Sequence, residues 1–211
     1  KLNNMLVNLT IKEFLAKTAG NDPVPGGGSI AALNAAIAAA LAEMVANLTI
    51  GKKKYADKEE LMKEIAAVAN KYQCDFLKDI DADSYAYNRV FDAFKLPKET
   101  EEEKAERSKQ IQSATKIAAE IPMEVARKAY ALMDFIARVA DEGNQNAITD
   151  ACVSMMTART AVLGALLNVR INLTSITDEP YVKLLTDEAN RLEREAIIKE
   201  KELLDKVSKI F

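Results

Sequence analysis

Three of the chain's seven glycines stand in a row, in Pro23-Val24-Pro25-Gly26-Gly27-Gly28-Ser29, and an alanine-dense stretch follows them to Asn47-Leu48-Thr49-Ile50-Gly51. Such a run confines the chain to a tight turn feeding a helix that neighbours can approach closely. Two readings stand. Glycine lets backbone N–H groups come near a ligand, and the helix start adds free N–H donors and a positive dipole end, which together suit an anion or polar ligand. The other reading is a loop between two closely packed helices.

Everything else in the pattern is helical. Thr10-Ile11-Lys12-Glu13 reads as a capping box opening a short helix that ends at Gly20. Ser29 is the expected N-cap of a second helix running to about Ile50. A third helix starts at Asp57 to Glu60 and keeps the 3.6-residue period through Leu61, Ile65, Val68, Tyr72 and Phe76, to about Phe94 before Leu96-Pro97. The charged stretch from Glu99 to Arg107 begins a fourth, in which Pro122 either bends the helix or starts a new one. Gly143 closes it. Further helices are predicted from about Asn146 to Thr174 and from Asp178 to Phe211. No alternating strand pattern occurs. The expected fold is all-α, a multi-helix bundle with long antiparallel helices, forming a single domain over residues 1–211.

Composition narrows the chemistry. The 211 residues carry a net charge of −3, which argues against nucleic-acid binding. There is no histidine, so the commonest general base and metal ligand are missing. Cys74 and Cys152 lack ligand spacing and read as buried free thiols; no metal site is expected. The uncharged stretch from Pro23 to Ala42 has few Leu, Ile and Val residues, so no membrane span is expected there. With no secretory signal visible, the expected compartment is cytoplasmic. The first residue is Lys1 rather than Met, as in a processed or trimmed terminus.

Polar residues fall on helix faces where a plain core would be apolar. Glu43 and Asn47 are an i,i+4 pair in the alanine helix, followed by Lys52-Lys53-Lys54. Asp81, Ser84, Asn88 and Asp92 follow one another at helical spacing. Asn146, Asp150, Ser154, Thr157, Ala161, Gly164, Asn168 and Asn172 step along another face, with Arg170 beside them. The plain readings are structural hydrogen bonds, a solvated acidic row, and close contact at small residues. The functional reading is the wall of a ligand cavity in which carboxylates move protons.

The segments PVPGGGSIAALNAAIAAALAEMVANLTIGKKKY, Asp81-Ala82-Asp83-Ser84-Tyr85 to Lys98, and Gly143-Asn144-Gln145-Asn146-Ala147-Ile148-Thr149-Asp150-Ala151 to Asn172 resemble, in order, the signatures of the cyclodeaminase/cyclohydrolase family of folate one-carbon metabolism. The resemblance implies an all-helical homodimer with its site near facing helices of the two subunits. It further implies action on a tetrahydrofolate derivative at the carbon bridging N5 and N10, as formiminotetrahydrofolate cyclodeaminase or methenyltetrahydrofolate cyclohydrolase, without a cofactor. The resemblance places Asp81 first as acid/base, with Asp150 and Glu43 as further candidates. Gly26, Gly27, Gly28, Ser29, Asn47, Asn144, Asn146, Asn168 and Arg170 are the expected substrate contacts, with Lys52, Lys53 and Lys54 for an anionic tail. The alternative is a non-catalytic ligand-binding or scaffold protein of the same fold. Convergence of Glu43/Asn47, Asp81 and Asp150 on one cleft is the observation that separates the two.

Overall fold

A computed structural model describes residues 5–210; Lys1 and Phe211 lie outside the described residues. Within it are six α-helices and no strand: α1 (Ile11–Thr18), α2 (Gly27–Asn47), α3 (Glu59–Phe94), α4 (Glu101–Glu142), α5 (Ile148–Leu173) and α6 (Glu179–Val207). Short 3₁₀ turns at Leu6–Asn8, Lys53–Lys58 and Gln145–Ala147 join or precede them.

Local chemistry accounts for most boundaries. Thr10 and Glu13 form the expected capping box, and Thr100 and Glu103 form a second one at the start of α4. Asp178 caps α6, whose second residue is Pro180. Ser29 is not the N-cap of α2. Gly26 is, and Ser29 is the third residue of the helix with its hydroxyl turned into the core. Three successive glycines leave no side-chain signature for where the helix begins. Pro122 neither ends nor restarts α4, which continues through it for 42 residues.

The helices α2 to α5 alternate in direction around one core. Ser29 meets Ile80 and Glu43 meets Asn70, so α2 and α3 are antiparallel. Asp79 pairs with Lys128, Asn172 reaches Ala118, and Ser154 donates to Ala38 O. Thus α4 is antiparallel to both α3 and α5, and α5 is antiparallel to α2. The buried side of α2 contains nothing larger than Val45 and is mostly alanine. Its neighbours supply the bulk, including Met62, Ile65, Phe76, Met133, Ile136, Met155 and Leu166. Fully burying such side chains contributes ~1.5–3 kcal/mol each.

α6 lies outside this bundle and parallel to α4. Ion pairs Lys116–Asp178, Arg127–Glu188, Lys199–Asp134 and Lys206–Asp141 link the two along their length. Leu185, Ala189, Leu192, Ala196 and Leu203 fill the seam beneath them.

One expectation needs correcting. Cys152 is buried and its thiol pKa is pushed up by desolvation, but Cys74 is exposed because it falls on the outward side of α3. By length and composition the segments Gly27–Asn47 and Gln145–Leu173 are long and apolar enough to cross a membrane, with mean hydropathies of 1.7 and 1.4. About half of each is packed inside the bundle, 56% and 50%.

Candidate functional site

The glycine run forms the rim of a cleft of about 330 Å³ lined by Pro23, Val24, Gly26, Gly27, Gly28, Asp83, Tyr87, Val90, Ala118, Asn168, Ile171 and Asn172. It lies where the start of α2, the middle of α3 and the end of α5 meet. A groove of about 430 Å³ further along α3 and α4 is larger, but its acidic residues, Asp92 and Glu106, are exposed.

Asp83 is the carboxyl group of the smaller cleft. Burial pushes its pKa above the usual carboxylate range, and bonds from the Ser29 hydroxyl and backbone N–H oppose that shift. Those bonds tie it to the first turn of α2, where the helix dipole also favours the anion. A Cβ on Gly28 would lie 2.0 Å from Asp83 Oδ1, so only glycine allows this approach. At Gly27 the nearest atom to such a Cβ is Asn168 Nδ2, at 3.2 Å.

Ser29 is completely buried. Its Oγ lies 2.9 Å from Ile80 O, 3.1 Å from Asp83 Oδ2 and 3.2 Å from Ser84 Oγ. One hydroxyl proton serves one acceptor at a time. When Asp83 is ionised, Ser29 donates to it. When Asp83 carries a proton, Asp83 donates to Ser29, whose own proton turns to Ile80 O. Both protonation states are therefore hydrogen-bonded, which suits a group that takes and returns a proton.

Asp81 does not enter the cleft. It is buried and accepts from Leu6 N at 2.7 Å and Val7 N at 3.4 Å, anchoring the N-terminal 3₁₀ turn on α3. Within the acidic row, Ser84 faces Ser29 while Asn88 and Asp92 are exposed.

Of the other expected site residues, Gly26, Gly27, Gly28 and Asn168 line the cleft and Ser29 lies beneath it. Arg170 is held by Glu193 at 2.5 Å and Asn190 at 3.2 Å on α6. The remaining residues gather at the opposite end of the α2–α5 pair. Glu43 accepts from Asn70, Asn47 is exposed, and Lys52, Lys53 and Lys54 sit on the surface. Asn144 donates to Leu48 O and caps the Gln145–Ala147 turn, with Asn146 beside it. Asp150 lies in the first turn of α5. Fifteen residues of α2 separate Gly28 from Glu43, about 22 Å at helical rise. Glu43/Asn47, Asp81 and Asp150 therefore do not converge on one cleft within the subunit, the outcome expected of the non-catalytic alternative; a catalytic reading passes instead to Asp83.

Asp83 and Tyr87 are cleft residues that spacing alone had not marked. Both belong to α3, and Asp83 stands inside the quoted Asp81–Tyr85 motif. The 2.0 Å relation to Gly28 joins that motif to the glycine run.

The profile of the formiminotransferase-cyclodeaminase family matches residues 10–191. The chain belongs to that family. A methenyltetrahydrofolate cyclohydrolase from Methylorubrum extorquens is 38% identical over 91% of this chain and 92% of its own length. A formimidoyltransferase-cyclodeaminase from Gallus gallus is 34% identical over 90% of this chain, which spans 35% of that longer protein. The crystal structure of a formiminotetrahydrofolate cyclodeaminase from Thermotoga maritima superposes with a TM-score of 0.83 at 30% identity, covering 95% of this chain and 98% of that one.

Proposed function

We propose that this protein is a folate one-carbon enzyme acting at the carbon that bridges N5 and N10 of tetrahydrofolate, as a cyclodeaminase or a cyclohydrolase. The observation that carries this reading is Asp83, a carboxyl group raised by burial at the rim of a glycine-lined cleft and hydrogen-bonded in either protonation state. Membership of the family supplies the substrate class.

Both reactions ask the same service of one carboxyl group. In the deaminase reaction N10 attacks the formimino carbon, and the proton lost from N10 passes to the nitrogen that leaves as ammonia. In the hydrolase reaction water attacks the cationic methenyl carbon; one of its protons passes to N5 as the C–N5 bond breaks and the other is released to solvent as the formyl C=O forms, giving the neutral 10-formyl product. Asp83 accepts from the nucleophile and returns the proton to the departing nitrogen. A positioned group of this kind contributes ~10²–10⁴-fold to rate. No cofactor, nucleic acid or membrane enters this reading, and its compartment is the cytoplasm.

The working form in this proposal is a homodimer. Ile37 and Met44 on α2, Leu48 just beyond it, and Val153, Met156, Leu167 and Ile171 on the neighbouring α5 are large apolar residues left exposed. A two-fold axis perpendicular to these helices would bring the cleft of one copy to the Glu43–Asp150 end of the other. That arrangement would reunite the groups that one subunit keeps apart.

The test is to incubate the purified protein separately with 5-formiminotetrahydrofolate and with 5,10-methenyltetrahydrofolate while following methenyl absorbance. Formation from the first or accelerated loss of the second is expected. Inertness toward both substrates would leave the family fold without this activity.

A further inference from the structure

Pro122 sits buried inside α4, with helix continuing on both sides. Proline has no N–H, so the carbonyl four residues earlier, that of Ala118, receives no bond from the helix. Asn172 of α5 takes that place, with Nδ2 donating to Ala118 O at 2.9 Å and also to Asn168 O at 2.9 Å. Both amide protons of Asn172 are thereby committed to backbone carbonyls. An amide held this way has only its Oδ1 left to offer. Every fully buried side-chain oxygen and nitrogen among the described residues has a hydrogen-bond partner. The Oδ1 of Asn172, which receives no donor from the protein, is thus accessible rather than sealed in the core. One turn earlier Asn168 commits one amide proton in the same way, its Nδ2 donating to Gly164 O at 2.9 Å. Ala118, Asn168 and Asn172 all line the cleft.

We infer that Pro122 is a positioning residue of the cleft: by leaving the Ala118 carbonyl unclaimed, it holds Asn172 so that the amide presents an acceptor, and not a donor, to the ligand. On its α5 side the lining then offers the Asn172 amide oxygen as an acceptor, with no lysine or arginine among the cleft residues. An acceptor held there recognises a ligand N–H. Resting on the proposed function, that N–H belongs to the pterin ring. A ligand presenting carbonyls or an anion at the same place would meet oxygen against oxygen.

The experiment compares Pro122→Ala, Asn172→Ala and the double variant with the wild type. Loss of one neutral hydrogen bond to the bound ring predicts KM raised about tenfold in each single variant, with kcat within about threefold. The double variant is expected to be no worse than Asn172→Ala alone, because proline acts through the asparagine. Wild-type KM in Pro122→Ala, or effects that multiply in the double variant, would overturn the inference. Thermal melts decide the contact without any folate. Asn172→Ala strands the Ala118 carbonyl, and Pro122→Ala restores its helix N–H. Alanine at position 122 is therefore expected to raise the melting temperature more in the Asn172→Ala background than in the wild type. Equal increments would refute the link between Pro122 and Asn172. If the wild type proves inactive on both folates, the functional proposal fails while the melting comparison still judges this one.

Discussion

Two positions along α3 turn a side chain by about 200°, and that turn separates the fates of Asp81 and Asp83. Asp81 is locked by two backbone N–H donors and holds the N-terminal turn. Replacing it with alanine strands the buried Leu6 N–H, so Asp81→Ala is expected to lose ~1–3 kcal/mol of stability. Its KM should stay near wild type; denaturant unfolding and kinetics check the pair of effects. Asp83→Asn is expected to lose ~10²–10⁴-fold in turnover at little change in substrate affinity. Its stability should move the other way. Burial raises the folded pKa of Asp83 above the unfolded value. Its contribution is therefore most favourable below the unfolded pKa and is lost as pH rises through the folded pKa. Asp83→Asn should melt at or above wild type at neutral pH, with the advantage fading below about pH 4. A variant melting several degrees lower at neutral pH, with turnover unchanged, would assign Asp83 a purely structural role. The motif around Asp81–Tyr85 is visible in the sequence, but which of its carboxylates faces the cleft is not. That depends on Leu6 N and Gly28, 75 and 55 residues away in sequence.

At the scale of elements, the boundaries legible in the sequence are those made by local bonds. The Thr10–Glu13 box needs only residues three apart and forms as read. The start of α2 was misplaced because glycine caps carry no side-chain signal, and Ser29, a good local cap, has a better partner across the core in Ile80. Pro122 is undecidable locally, since the Ala118 carbonyl it leaves without a helix N–H is met from another helix. The α4–α6 seam depends on Arg127, which donates through Nε and an Nη to both oxygens of Glu188 at 2.9 and 2.6 Å. Lysine cannot reproduce that fork. With both side chains about a quarter to a third exposed, Arg127→Lys is expected to cost ~0.5–1 kcal/mol, measured by urea unfolding, and less at high salt. An unchanged midpoint at low salt would mean the Arg127–Glu188 fork contributes nothing to the seam.

For the whole molecule, the apolar residues left outside α2 and α5 decide the assembly. If they meet a second copy, the sedimenting mass is twice 23.2 kDa, and Leu167→Glu, at a side chain 64% exposed in the single chain, yields a folded monomer with depressed turnover. A wild type that sediments at 23.2 kDa at micromolar concentration would end the dimer proposal. The all-α architecture was readable from periodicity. The grouping of the site was not, because it depends on how far apart the two ends of α2 lie. The alanine face of α2 also has an evolutionary consequence. Its buried residues, Ala31, Ala32, Ala35, Ala38, Ala39, Ala42 and Ala46 among them, carry no chemistry. Yet each added methyl would wedge α2 away from α3 and α5 and lift Gly28 off Asp83. In a saturation screen the sharpest intolerance should then trace a three-to-four-residue rhythm along the plainest stretch of the chain, while many charged surface positions drift freely.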